Sequence, residues 1–186
     1  MSLSLDTPPA EEPVTLAEAK AHLKLDTSDD DALVTRMIAA ARARAEWHTG
    51  RAFITQGWTL HLDCFPRDGA IEIPLPPLVA VTSLTVFARD DSASVIDPAR
   101  YVVDAASAPA RLVLRPETAP PADLRRTSAV ALAFIAGYGD AAAVPAPVKE
   151  AILELIAFLY EYRGEAPAEL PLDCLALLAP FRILKL

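Results

Sequence analysis

Glu150, Glu154 and Glu161 recur at spacings of four and seven, so they share one face of any helix that contains them. Carboxylates grouped in this way can do acid–base work, or can form an ion-pairing edge toward a partner. Just upstream lies GYGDAAAVPAPVK, in which Gly137 and Gly139 precede a helical pattern. Glycines before a helix are how nucleotide-binding loops hold phosphate. Together the loop and the glutamates outline a small hydrolase or ligand-binding site.

The loop departs from that chemistry in three ways. It has no third glycine at the needed spacing and no Lys-Ser/Thr pair. Pro145 and Pro147 also remove two N–H donors that would face an anion. The better reading is a joint, with the glycines letting the chain leave a strand and return to a helix.

Other candidate centres are weaker. DTSDDD, residues 26–31, lacks the alternate acids, central glycine and distal glutamate of a calcium loop, and reads as helix capping. His22, His48 and His61 form no HExxH and pair with no cysteine, so no metal site is expected. Cys64, beside Phe65, and Cys174, among leucines, are far apart and read as small core apolar residues of a reduced compartment. No serine occupies a GxSxG elbow. No catalytic residue, metal or cofactor is assigned.

The chain has 186 residues, 53% of them hydrophobic and 23% charged, a globular composition. Its net charge of −8 argues against tight nucleic-acid binding, which needs clustered Lys and Arg. The acids crowd residues 1–31, whereas Arg36, Arg42, Arg44 and Arg51 follow against Glu46 alone. Such asymmetry suggests a charged surface facing another copy of the chain. The N-terminus shows no secretory pattern, and the apolar run from Ala151 to Tyr160 is too short for a bilayer.

Residues 1–13 read as a flexible arm. TLAE at 15–18 is a capping box that starts a first helix with Leu16, Ala19 and Leu23 inward. A second helix, capped by Ser28 with Asp29 to Asp31 in its first turn, buries Val34, Met37, Ile38, Ala41 and Ala45 and stops at Gly50. The hydrophobic period then changes from 3.6 to 2. Strands are predicted at Trp58–Leu62, Ile71–Ile73, Val79–Phe87, Tyr101–Val103, Arg111–Leu114 and Ser128–Ile135. Prolines punctuate them, which favours antiparallel pairing over βαβ units. Helix returns at Pro147, apolar almost all round, and a short helix from Leu172 to Ala179 ends at Pro180. The expected fold is α+β: a helical layer from 14–50 and 144–180, an antiparallel sheet or sandwich inserted over 51–143, and a tail at 181–186, in one compact domain.

Several stretches in order carry a resemblance: PVTLAEAKAHLKLD, the Ala/Arg helix ending in TGRA, WTLHLDCFP, IEIPLPPLVAVTSLTVF, DPARYVVD, FIAGYG, VPAPVKEAILELIAFLYEYR and LLAPFR. Together they resemble the head–tail connector (adaptor) family of tailed phages, including the adaptor of phage-like gene transfer agents. The resemblance covers about residues 13–182. It implies a non-enzymatic structural protein with no catalytic residues. In that family about twelve copies form a ring beneath the portal, extend the DNA channel, and offer a platform to stopper and tail proteins. It further implies a place in the neck of a virion or virion-like particle, assembled in the bacterial cytoplasm. The family's C-terminal segment reaches toward the portal. Here that points to Leu175, Leu178, Pro180, Phe181, Arg182, Ile183, Leu184 and Leu186.

For contacts between copies, the charge asymmetry points to Arg36, Arg42 and Arg44 against acidic groups, either Glu150, Glu154 and Glu161 or the acidic first turns. Two readings from other classes stand beside the adaptor: the hydrolase or ligand-binding protein outlined above, and a toxin–antitoxin or regulatory partner.

Overall fold

The computed structural model describes residues 1–119, 121–162 and 169–183. Among them are four α-helices and eight strands in two antiparallel sheets, an α+β architecture. The chain divides into two compact units: Met1–Pro9 with Thr55–Gly137, and Ala10–Ile54 with Tyr138–Leu186.

The first unit holds all the strands. Its five-stranded sheet runs in the order β1 (Ser2–Thr7), β2 (Gln56–Leu62), β8 (Val130–Ala136), β4 (Leu78–Phe87), β5 (Ala93–Val95). Its three-stranded sheet runs β3 (Ala70–Ile73), β7 (Ala110–Leu114), β6 (Tyr101–Asp104). Period-2 alternation decides what is buried. Along β8, Val130, Leu132, Phe134 and Ala136 are buried while Ala131, Ala133 and Ile135 are partly exposed. Register keeps like with like across the sheet: Leu60 faces Leu132, and Leu132 faces Leu84.

The expected arm at residues 1–13 is corrected here. Ser2–Thr7 is a strand paired along β2, with Leu3 opposite Leu60 and Leu5 opposite Trp58. The alternation of Ser, Leu, Ser, Leu, Asp is a strand pattern, and β2 supplies the ladder that an isolated short strand lacks. The strand β5 was also missed, since three exposed residues carry no periodic signal.

The second unit holds the helices α1 (Leu16–Leu23), α2 (Asp31–Thr49), α3 (Ala146–Glu161) and α4 (Leu172–Leu178). The capping box forms as the sequence requires: the amide of Glu18 donates to the Thr15 hydroxyl oxygen, and the Thr15 amide donates to the Glu18 carboxylate at 2.7 Å. Gly50 ends α2 in the left-handed conformation, φ +70°. Ser28 does not cap α2. The N-cap is Asp30 and makes no side-chain cap bond, because its carboxylate accepts the Tyr160 hydroxyl instead. Asp31 pairs with Lys20 at 2.6 Å. The acids of DTSDDD thus serve helix-to-helix contacts more than the dipole.

The core of this unit is Val34, Ile38, Ala41 and Ala45 of α2, Val148, Ala151, Ile152, Leu155 and Ile156 of α3, and Cys174 and Leu178 of α4. The alanines of α2 keep the helix thin on its buried side, which lets larger side chains of α3 approach. After α4 the chain tightens into a 3₁₀ turn, Ala179–Phe181, as the missing amide of Pro180 requires.

Candidate subunit and partner interfaces

The 137–150 loop is occupied by its own chain. Gly137 and Gly139 both have φ of +134°, a conformation open to glycine. The Tyr138 amide donates to the Phe53 carbonyl at 3.0 Å, and the Ala143 amide to the Asp140 carboxylate at 3.0 Å. The Ala141 amide donates to the Glu11 carboxylate at 2.7 Å, so an acidic side chain sits where an anionic ligand would have to go. The loop is a joint, and the hydrolase reading loses its anion site.

No cluster of three or more His, Cys, Asp and Glu side chains among the described residues is placed to hold a metal ion. A depression of about 220 Å³ in the β unit is lined by Val86, Ile96, Arg100, Leu114 and Leu124 among others, with no carboxylate, histidine or cysteine in its wall. The hydroxyls in its wall, Ser94 and Thr118, have no histidine or carboxylate beside them in that wall to act as a general base. No described helix is long and apolar enough to cross a membrane.

The six residues proposed for contacts between copies divide into two sets. Arg42 is turned into its own chain, with its side chain 13% exposed. Its guanidinium donates to Glu12 at 2.7 Å and also to Glu46. The second oxygen of Glu46 accepts the Phe53 amide at 2.8 Å, so this trio fixes where the chain leaves α2. Arg44 and Glu154 both act on the buried Cys174 thiol, which places them along the seam with α4. Burial, then Glu154 and Asp173, pushes that thiol up to about 11, and Arg44 opposes them.

Arg36, Glu150 and Glu161 are exposed and have no ion-pair partner among the described residues. Arg36 shares its face of α2 with Ala40, Ala43 and Trp47, all exposed, and Trp47 is 89% exposed. Sequence reasoning passed over Trp47. Its signal was the second stripe at spacings of four, three and four, opposite the buried one.

The C-terminal set divides as well. Leu178 is fully buried in its own core and is corrected from a partner contact to a core residue. Phe181 packs partly against the same core, and Leu175 is half-buried. The Arg51 guanidinium donates to the Phe181 carbonyl, and the Ile183 amide to the Thr49 carbonyl at 2.9 Å. Pro180 and Arg182 are exposed. Arg182 lies near His48, whose pKa is lowered by burial and then by that guanidinium. Leu184 and Leu186 lie outside the described residues.

Residues 13–96 match the model of a family described as phage gp6-like head–tail connector protein. The whole chain is also similar in structure to chains of solved gene transfer agent particles. One is in the neck of an empty particle with C6 symmetry: TM-score 0.83, 25% identity, covering 100% of this chain and 97% of that one. Another is in the neck of a native particle with C12 symmetry: TM-score 0.81, 25% identity, with the same coverage. A third, in the virion of a native particle, has TM-score 0.83 at 23% identity and the same coverage. Residues 13–96 are thus similar to head–tail connectors, and the whole chain is similar to chains in gene transfer agent necks. A search of curated protein sequences finds no match. The proteins that the chain does match are structural components of virion necks, and on that similarity the chain is a structural protein and not an enzyme.

Proposed function

We propose that copies of this chain close into a ring beneath the portal, in the neck of a virion or virion-like particle, and extend the channel through which DNA passes. The observation that carries this is the end-to-end similarity to chains in necks of C6 and C12 symmetry. A rotational ring needs two different faces on each copy, joined head to tail. The helical unit offers two, the α2 face bearing Arg36 and the α3 face bearing Glu150 and Glu161. The net charge of −8 suits a channel along which DNA slides without being held. About twelve copies, stopper and tail proteins on the far side, and assembly in the bacterial cytoplasm belong to the same reading.

The portal contact falls to Pro180, Arg182 and the outer sides of Leu175, Phe181 and Ile183, together with Leu184 and Leu186, which follow them in sequence outside the described residues. Light scattering after size exclusion, with the chain alone and mixed with its portal, tests the reading. A ring of about twelve copies, free or on the portal, is expected by family resemblance. A chain that stays monomeric in both settings overturns it.

A further inference from the structure

The outer faces of α2 and α3 have the same spacing. Arg36, Ala40, Ala43 and Trp47 lie at intervals of four, three and four, as do Glu150, Glu154, Ala157 and Glu161. At 3.6 residues per turn, each set falls within about 60° on its helix, over a length of about 16 Å. One row is cationic and apolar, with small residues at its centre. The other is anionic, with Ala157 near its centre.

We infer that these rows pack against each other between neighbouring copies, with Trp47 as the apolar anchor and Arg36 paired to a glutamate of the next copy. The inference rests on the ring reading and assigns its interface. Its occupant is a second copy of this chain, and three observations point there. Arg36, Glu150 and Glu161 lack ion-pair partners within the described residues, whereas Arg42 is engaged twice. Trp47 is the most exposed large apolar side chain described, and it stands one helical turn beyond Ala43. Tryptophan so placed is typical of an anchor at a protein interface and atypical of a solvated face. Ala40 and Ala43 at the middle of the α2 row, and Ala157 in the α3 row beside Glu154 at the α4 seam, let the two helices approach. Both ends of the α3 row carry a carboxylate, so Arg36 meets one whichever way the helices run.

The complementary faces lie on different helices of one copy, so pairing is head to tail and can close a ring. An interface of a row with itself, α2 on α2, would set Arg36 against like charge or leave it unmatched.

Mixed-disulfide trapping tests this in the full chain carrying Cys64→Ser. A tagged Ala43→Cys copy is mixed with an untagged Ala157→Cys copy under mild oxidation. The mixed pair should dominate over either self-pair. Trp47→Ala and Arg36→Glu should each raise the concentration at which oligomers form by tenfold or more in sedimentation velocity, with melting temperature unchanged. Glu150→Arg or Glu161→Arg should restore Arg36→Glu, and the one that does so reports the helix direction. If rings form but the mixed disulfide does not, and both single variants associate within twofold of the parent, the interface is elsewhere and the ring reading stands. If the parent chain is monomeric alone and on its portal, both readings fall together.

Discussion

The amide of Ile183 donates to the carbonyl of Thr49 at 2.9 Å, which ties the C-terminal segment to the last turn of α2. Arg51 adds a second tie through the Phe181 carbonyl, and Phe181 itself packs against the helical core. The segment therefore contributes to its own subunit at least as far as residue 183.

Deleting residues 181–186 should lower the melting temperature by several degrees. Two hydrogen bonds at about 0.5–1.5 kcal/mol each are lost, along with part of the burial of Phe181. For a chain of this size each kcal/mol moves the midpoint by roughly 2–4 °C. An unchanged thermal midpoint by circular dichroism would mean that these contacts add nothing to stability. Portal capture by the truncated chain, measured separately, reports whether the same segment also binds the partner.

Much of the architecture was legible because the hydrophobic period switches cleanly. The alternation Trp58, Leu60, Leu62 and the stripe Val148, Ile152, Leu155, Ile156 each admit one reading. What failed has local causes. The first strand carries a periodic pattern so short that only β2 makes it a strand. Ser28 lost its capping role because Asp30 and Asp31 bond across to other helices. The interface residues were half legible: charge type marked Arg36, Arg42 and Arg44 alike, but only tertiary structure shows that Arg42 faces Glu12 and Glu46. Sequence spacing alone placed Leu178 near the tail and could not tell that its side chain turns into the core.

Asp104 should impose an acid dependence on the β unit. Its carboxylate accepts from the Ser107 hydroxyl at 2.6 Å and from Arg111 at 2.9 Å, and these bonds lower its pKa from 3.8 to about 2. Since the folded value is depressed, the unfolded chain binds more protons between these two values. The contribution is therefore fully present above about pH 4 and disappears as the pH falls through about 2. In urea titrations, Asp104→Asn should be less stable than the parent at pH 6, and the gap should close toward pH 2. A gap that is constant with pH would show that these bonds do not favour the ionised carboxylate.

The two cysteines should differ sharply in reactivity. Cys64 is exposed, whereas Cys174 is buried, donates to the Ala151 carbonyl at 3.5 Å, and has its thiol pushed up to about 11. Only the thiolate attacks a disulfide reagent. At pH 8 a chromogenic disulfide should titrate one thiol rapidly in the native protein and the second only with unfolding. Rapid reaction of both would mean that α4 leaves its seam readily.

Arg42 and Arg36 should separate folding from association. Arg42→Ala strips two carboxylates of their partner, and one of these also holds the Phe53 amide. Losing a charge-assisted hydrogen bond at part-buried carboxylates costs about 1–3 kcal/mol, little of it removed by salt. Arg36 is exposed on a helix surface, where truncation is usually worth less than about 0.5 kcal/mol. Urea midpoints measured under dilute conditions should therefore fall for Arg42→Ala and stay near the parent for Arg36→Ala. The same result is expected at low and high ionic strength, since the Arg42 cluster is shielded by its own neighbours. Equal losses for the two variants would show that Arg36 has a partner within its own subunit, and the division into inward and outward arginines would have to be abandoned.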